Sequence, residues 1–428
     1  MNNISIYVDL MNSAIVGWSW KSGINGIGRT EIMIFPKSLT ITACEEVIKN
    51  INNESGDDAL LLPVDTSKYA FGGLASAIQA AITWGRNSSS RKLILRKILQ
   101  SNEDLIKEVI KRPHKFTAAM FAKSILTNNA EAAVLRPQVN LAAKSAIEHQ
   151  AINIYGQHHG RLCWFAFVDH SSKGFDRNFY IESPESKPEL RQPAQIQAII
   201  SAMVDKSSLV AGGGKPLDKE DQDHLGRIFY ELFLNTHEHG SRENARSEWI
   251  KPGMRVIYTY GINLKDEGVE GMLRGEPVLT NYLDTQDSNV KKINRFIEIS
   301  IIDSGLGYCG RWLADYGEIT KTTDIVIKEE YEIFKKCFTF RQTSSLKDYK
   351  GHGLPVVMDR LTKLKGFIRI RSGRLALFRD FISSPYKSQD ECEFSDWSTM
   401  KAANQSLTEM PKADGVAITL LIPLESKK

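Results

Sequence analysis

The sequence lacks paired cysteines, long apolar runs and a strong excess of either charge. Its five cysteines are scattered, with no CxxC pair and no cysteine–histidine spacing typical of a zinc site. Such cysteines indicate reduced, structural thiols in a cytoplasm-like compartment. No apolar run approaches the roughly 20 residues that a membrane-spanning helix needs, and the N-terminus lacks the basic region of a secretory signal. We therefore expect a cytoplasmic protein without a membrane partner.

The charge balance gives no reason to expect a polyanionic partner. The 428 residues include 55 basic and 51 acidic side chains, a net charge of only +4, so composition does not indicate nucleic acid binding. Hydrophobic residues make up 42% and charged residues 25% of the chain, as in ordinary globular proteins. A chain of this length can form two or three domains with buried cores.

The first part of the chain predicts an α/β domain at about residues 1–185. The expected strands are Glu31–Phe35, Ala59–Val64 and Leu162–Asp169, and the expected helices are Thr42–Asn50, Leu74–Trp84, Leu93–Leu99, Glu103–Ile110 and Thr117–Leu126. Prolines between residues 184 and 193 indicate a boundary before a second domain at 194–428. The first domain has no motif that indicates chemistry, which leaves a regulatory or interaction role, with a protein partner or a second copy.

The second part contains a carboxylate, a carboxamide and an imidazole four residues apart. In an α-helix this spacing brings Glu231, Asn235 and His239 to one face. The apolar residues between them suit packing against a sheet. A base, a neutral oxygen ligand and a hydrogen-bond donor on one ridge suit a metal-bound phosphate. An amphipathic surface helix whose polar face repeats every turn explains the same pattern equally well.

Two glycine-containing motifs follow downstream. An apolar strand from Phe296 ends in Asp303 and turns through Gly305 and Gly307. A carboxylate at a strand end can accept a hydrogen bond from an exocyclic amine, and glycines let the backbone pass close to a purine. By itself this motif is weak, since aspartate and glycine are common turn residues.

The second motif is Gly351-His-Gly353-Leu354, which opens a further helix directly after Lys350. Free backbone N–H groups at a helix N-terminus suit phosphate oxygens, although helix starts often carry glycine for other reasons. A final apolar stretch, Gly415–Pro423, predicts a strand that can close a sheet beside these elements.

In order and character, these four elements resemble the ATP-binding domain of the GHKL superfamily. That group includes the gyrase, Hsp90, histidine-kinase and MutL ATPases and the anti-sigma serine kinases. The resemblance covers roughly residues 195–428, with Glu231, Asn235 and His239 in the positions of the family's E-x-x-x-N-x-x-x-H/K box. It implies a C-terminal α/β sandwich, in which helices cover one face of a mixed sheet around a Bergerat-type ATP site, within a two-domain α/β protein.

The resemblance also implies the ligands and the roles of residues. ATP and Mg²⁺ would be the cofactors, with Asn235 as the metal ligand and Glu231 as the general base. The residues implied to contact the nucleotide are Asp303, Gly305, Gly307, His239, Lys350, Gly351, Gly353, Leu354 and Thr419. His239 and Lys350 are equally compatible with structural or solvated roles.

The sequence departs from the family pattern in three places. Val416 stands where the family has a threonine after the closing glycine, which leaves Thr419 as a loose substitute. The stretch from Lys265 to about Asn294 is interpreted as an inserted hairpin or loop. Residues 308–350 are interpreted as an ATP lid, with a helix near Asp324–Phe338.

Three activities share such a pocket. We expect an ATPase whose nucleotide-driven lid closure switches assembly or partner binding. A serine kinase of the anti-sigma type and an ATP-sensing adaptor without turnover stay open as alternatives. An orthodox histidine kinase is disfavoured, because none of the upstream histidines is followed by an acidic residue with a nearby proline. These histidines are His114, His149, His158, His170 and His224.

Overall fold

The computed structural model describes two large sheets, a short two-stranded ribbon and the helices that cover the large sheets. The described residues are 32–53, 59–63, 71–96, 101–128, 135–171, 174–181, 188–212, 217–287, 293–316, 322–339, 353–387 and 393–424. They form an α/β protein, as the sequence predicts.

Residues 32–150, here called the N-terminal module, are built around a four-stranded parallel sheet. Its strand order β1-β2-β3-β4 follows the sequence, so each connection must return the chain to the same end of the sheet, and helices supply these crossovers. The strands are β1 (Ile32–Ile34), β2 (Ala59–Leu62), β3 (Lys92–Leu95) and β4 (Ser124–Thr127). The helices are α1 (Ile41–Asn53), α2 (Gly73–Asn87), α3 (Asn102–Lys111), α4 (Pro113–Phe121) and α5 (Arg136–Gln150).

The rest of the described chain is organised by an eight-stranded sheet of order β13-β12-β11-β14-β10-β9-β6-β5. Every pairing in it is antiparallel, so parallel and antiparallel strands are divided between two sheets instead of mixed in one. Its strands are β5 (Gln157–His159), β6 (Leu162–Phe167), β9 (Arg255–Asn263), β10 (Arg295–Asp303), β11 (Phe367–Gly373), β12 (Leu375–Asp380), β13 (Ser395–Asp396) and β14 (Ala413–Pro423). Between β6 and β9, β7 (Tyr180–Ile181) and β8 (Glu189–Leu190) pair as a separate ribbon.

Helices cover one face of this sheet. They are α6 (Pro193–Val210), α7 (Lys219–Asn235) and α12 (Gly353–Lys363). Because side chains alternate between the faces of a strand, Ile299 and Ile301 of β10 join the core beneath these helices, whereas Ile302 joins the core on the other side. Among the described residues, no helix is long and apolar enough to span a membrane.

The N-terminal module covers the opposite face through α2. This helix is rich in alanine, and its side chains are buried nearly all round. Small side chains let a helix lie close to its neighbours, and a methyl group at Gly85 would lie 2.4 Å from Cβ of Phe121 in α4. A helix that is apolar on every side belongs in an interior, and α2 accordingly lies between the parallel sheet and β14.

The predicted division at residues 185–194 therefore crosses a continuous sheet. β5 and β6 precede it, and β6 pairs with β9, which follows it. Pro188 lies directly before β8, and Pro193 takes the first helical position of α6. Residues 32–428 group as one compact unit.

Two predictions in the second half need correction or refinement. The expected hairpin or loop at 265–294 contains two helices, α8 (Val269–Arg274) and α9 (Pro277–Asp287), which bury Leu279 and Tyr282. In the expected lid region, α10 (Gly307–Tyr316) and α11 (Ile327–Phe338) pack into the core, since Tyr331, Phe334 and Phe338 are fully buried. The helix predicted near Asp324–Phe338 is thereby confirmed, and residues 340–352 lie outside the described residues.

The helices predicted at Leu93–Leu99 and Thr117–Leu126 are wrong in part. The first begins instead as strand β3, and the second ends at Phe121, before β4. Periodicity alone does not distinguish a short apolar run in a buried strand from one in a helix. Here pairing with β2 and β4 decides in favour of a strand, because residues from Leu93 to Leu95 have partners on both sides.

Candidate functional site

Helix α7 carries the first two candidate residues. Asp218 caps its N-terminus by accepting a hydrogen bond from the Asp221 backbone N–H at 2.8 Å. The apolar side of the helix, including Ile228 and Phe229, is buried against the sheet. The α-helix ends at Asn235 and continues as a π-turn over Thr236–Gly240.

Glu231 is buried in α7 and faces the start of α12. Only 7% of it is exposed, and Nη2 of Arg227 lies 2.5 Å from its Oε1. A methyl group at Gly353 would lie 2.5 Å from its Oε2, so a side chain there would displace the Glu231 carboxylate. Burial raises the pKa of Glu231 above the ordinary value of 4.5, while Arg227 acts to lower the pKa and Glu238 to raise it. The result is a desolvated carboxylate of increased basicity.

Asn235 has a carboxamide nitrogen without a hydrogen bond to any described group. Its Nδ2 atom is buried and has no partner there. A buried polar group normally finds a partner because desolvation without one costs about 1–3 kcal/mol. The unsatisfied carboxamide is therefore a sign of a ligand position.

His239 lies beyond the α-helical part of α7 that carries Glu231 and Asn235. It lies in the π-turn, whose hydrogen-bond period differs from that of an α-helix. Its Nδ1 atom is 3.2 Å from Nη1 of Arg246, which in turn pairs with Asp315 of α10. These contacts connect His239 to the loop after α7.

Asp303 ends β10 as a buried carboxylate that forms no ion pair with any described residue at contact distance. Its Oδ1 accepts hydrogen bonds from the backbone N–H groups of Gly305 at 2.9 Å and Val416 at 3.2 Å. No described group donates to Oδ2. Burial raises the pKa of Asp303 to about 6, although the two backbone hydrogen bonds and the nearby Arg255 act to lower it.

Glycines bring three segments together around Asp303. A side chain at Gly240 would lie 2.4 Å from the Asp303 carboxyl group, and one at Gly305 would lie 2.7 Å from the Cα atom of Gly240. Gly415 has φ of +73°, and its backbone N–H donates to the Gly305 carbonyl at 3.0 Å. A side chain at Gly415 would lie 1.9 Å from the Asp303 carbonyl oxygen. The turn after α7, the end of β10 and the start of β14 thus meet at backbone distance.

The structure brings together Glu231 with Gly353 and Asp303 with Gly305. Gly307 adopts φ of +74°, at the start of α10 beside Ser372. Leu354 is buried in the apolar core beneath α12. The candidate residues Lys350 and Gly351 lie outside the described residues.

Thr419 is not part of this constellation. It pairs with Ser300, whose hydroxyl donates to the Thr419 hydroxyl at 3.0 Å. Ser300 precedes Asp303 by an odd number of residues, so the two side chains lie on opposite faces of β10. Thr419 therefore faces the N-terminal module, and its predicted role as a nucleotide contact is not supported. Val416, not Thr419, lies across from Asp303.

The sequence interpretation missed Gly240 and a buried ion pair beside Asp303. Arg255 is the partner of Asp303 on β9, and its Nη2 lies 2.7 Å from Oδ1 of Asp169, with both side chains essentially inaccessible. Its Nη1 also donates to the Tyr180 hydroxyl at 2.8 Å. A basic residue in the first position of an otherwise apolar strand was the available signal.

Comparisons with known proteins neither add to nor subtract from this geometry: no family model, no curated protein and no solved structure matches the chain.

Proposed function

We propose that the chain binds ATP with Mg²⁺ where α7, the end of β10 and the start of α12 meet, and that it hydrolyses the nucleotide. One observation carries the proposal. Two buried carboxylates each face a glycine of a segment far away in sequence: Glu231 faces Gly353 at the start of α12, and Asp303 faces Gly240 in the turn after α7. Nδ2 of Asn235, on the same helix as Glu231, has no partner among the described residues. Buried, unsatisfied polar groups of this kind cost stability and are typical of ligand sites.

Asn235 fits the proposed metal ligand. The buried atom without a partner among the described residues is Nδ2, a donor that suits a phosphate oxygen, and the oxygen of the same carboxamide is a suitable ligand for Mg²⁺. The ion would reduce the negative charge of the phosphates. The raised pKa of Glu231 fits a different role, because a desolvated carboxylate holds a proton better than an exposed one. We assign Glu231 to accept the proton of the attacking water.

Asp303 fits the role of the carboxylate that accepts a hydrogen bond from the purine. Its Oδ1 is already engaged by two backbone N–H groups, which fixes the orientation of the carboxylate. Its Oδ2 is left to accept a hydrogen bond from an exocyclic amine. The glycines at positions 240, 305 and 415 let three backbone segments pack closely around this residue.

Substituting Glu231 by glutamine is expected to abolish phosphate release while ATP binding is retained. Glutamine keeps the size of the side chain but cannot accept the proton, and loss of a general base lowers turnover by about 10²–10⁴-fold. The measurements are phosphate release and equilibrium ATP binding. E220Q is the matched control on the same helix, because Glu220 is 83% exposed at its side chain. Release by E231Q at the wild-type rate contradicts the assignment, and labelling of a protein without release indicates a kinase.

The Arg227–Glu231 pair predicts the direction of a pH effect. Hydrolysis requires the Glu231 carboxylate, so the rate falls as pH decreases through the raised pKa. Arg227 acts to lower that pKa, and R227Q is therefore expected to move the midpoint of the pH–rate profile to higher pH. A midpoint that stays in place or moves down contradicts the assigned base. Arg191, which donates to the Arg177 carbonyl away from α7, supplies the control R191Q.

A further inference from the structure

Helix α2 of the N-terminal module contacts Asp414, which lies at the start of β14 directly before Gly415. The Asp414 backbone N–H donates to the Thr83 hydroxyl at 3.1 Å, and Nδ2 of Asn87 lies 2.5 Å from the Asp414 carboxylate. Nε2 of Gln79 approaches the Asp414 carbonyl at 3.4 Å and donates to the Arg371 carbonyl at 3.1 Å. Three side chains on successive turns of one helix thus bind one corner of the sheet, which consists of Asp414 at the start of β14 and Arg371 on the neighbouring strand β11.

That corner leads directly to Asp303. Gly415 donates its N–H to the Gly305 carbonyl, and Val416 donates its N–H to Oδ1 of Asp303. The positive φ of Gly415 sets the direction in which the Val416 N–H points. Moving Asp414 therefore moves one of the two donors that orient the Asp303 carboxylate.

We propose that Thr83 and Asn87 are positioning residues for nucleotide binding, through which the N-terminal module sets the affinity for ATP. The inference rests on the proposed function and gives the module a role in it. Coupling of this kind is reciprocal. Nucleotide that orders the Asp303 corner also strengthens the docking of α2, and anything that displaces α2 weakens nucleotide binding.

Thr83 permits a near-isosteric test. Its hydroxyl donates to the Gln79 carbonyl at 2.8 Å and accepts from Asp414, and T83V removes the acceptor but keeps the shape. Thr117 is an equally buried threonine with the same bond to the carbonyl four residues earlier, at 2.8 Å, but it lies in α4 away from β14. T117V is therefore the matched control, and T83S is the variant expected to restore function.

T83V is expected to raise the Kd for ATP about three- to tenfold, the effect of losing one hydrogen bond. KM rises with it, while kcat stays within about twofold, because Glu231 is untouched. Amide hydrogen exchange at Val416 in the nucleotide-free protein becomes faster. T117V is expected to leave the Kd for ATP and the amide exchange rate at Val416 at wild-type values. In T83S the two quantities are expected to lie within about twofold of the wild type.

N87A provides a second route, since Asn87 is exposed and its substitution does not disturb the core. It is expected to change the Kd and the exchange at Val416 in the same direction. If the wild type binds ATP and the Kd is unchanged in both T83V and N87A, the inference is overturned. Absence of ATP binding in the wild type overturns the proposed function and the inference with it, and unchanged Val416 exchange shows separately that α2 does not hold the corner.

Discussion

Asp303→Asn is expected to weaken ATP binding at least about 100-fold while it makes the protein more stable. The asparagine oxygen can still accept the two backbone hydrogen bonds of Gly305 and Val416. Its amide nitrogen then takes the place of Oδ2, the atom proposed to accept from the purine amine. Because the amide nitrogen and the purine amine are both donors, no hydrogen bond forms between them. Sites built for a hydrogen bond reject a mismatched partner by large factors because buried polar groups are left unpaired.

The stability gain follows from the raised pKa of Asp303. The pKa is about 6 in the folded protein against an ordinary 3.8, and a difference of about two pKa units corresponds to about 3 kcal/mol at most. Above pH 6 both states are ionised, and the cost of burying the charge is fully present. As the pH falls from about 6 towards 3.8, the folded state binds the proton first and the cost is relieved. D303N is therefore expected to gain about 1–2 kcal/mol at pH 7.5 and almost nothing at pH 4.

Urea unfolding at the two pH values and ATP titration measure both effects. Wild-type affinity for ATP is also expected to fall about tenfold per pH unit below pH 6, because the protonated carboxyl group no longer accepts. D176N is the control for binding. Asp176 is another buried carboxylate with a pKa raised by burial, and its Oδ1 also accepts from a backbone N–H two residues on. Loss of stability in D303N at neutral pH, or retained affinity, contradicts the role of Asp303.

Much of the candidate site could be read from short-range patterns. Glu231 and Asn235 lie one turn apart in α7, as their spacing predicts, because the buried apolar side of the helix fixes which side remains polar. Asp303 ends its strand as expected, since an apolar β10 must stop where backbone turns through glycine. The spacing does not reveal that a π-turn replaces the last α-helical turn at His239.

Long-range contacts could not be predicted in this way. Gly240 follows His239 directly, yet its importance comes from Asp303 and Gly305, which lie far along the chain. Thr419 lies away from Asp303 because the face of a strand residue depends on register, and Thr419 pairs with Ser300. The contacts of α2 with Asp414 depend on how the N-terminal module docks, for which the sequence has no local signal.

The docking of the module also explains why the antiparallel sheet has polar groups on its far face. Glu298 of β10 is fully buried there and accepts hydrogen bonds from the Tyr258 hydroxyl and the Gly72 backbone N–H. Burial raises the pKa of Glu298 to about 7, while these two hydrogen bonds act to lower it. The N-terminus of α2, which begins at Gly73, favours the ionised form. The module and the sheet are therefore joined by specific polar contacts in addition to apolar packing.

The strongest of these polar contacts predicts the largest loss of stability. Glu45 of α1 accepts hydrogen bonds from two buried arginines of β11, with Arg371 Nε at 2.9 Å from Oε1 and Arg369 Nη2 at 3.3 Å from the same atom. Burial acts to raise the pKa of Glu45, but the two guanidinium groups outweigh it and hold the pKa below the ordinary 4.5. The resulting stabilisation is present above pH 4.5 and is lost as pH falls through the lowered pKa.

Glu45→Ala is expected to lower the free energy of unfolding by about 3–5 kcal/mol at pH 7.5, because it leaves two buried cations with no carboxylate. Glu46 on the same helix is 60% exposed at its side chain and pairs with Lys49 at 3.3 Å. E46A is the matched control, with an expected loss below about 1 kcal/mol that disappears in high salt. The triple variant E45M/R369M/R371M removes all three charges and is expected to lose less than E45A alone, since no unpaired cation remains. A triple variant less stable than E45A contradicts this explanation, because the loss in E45A would then reflect packing instead of charge.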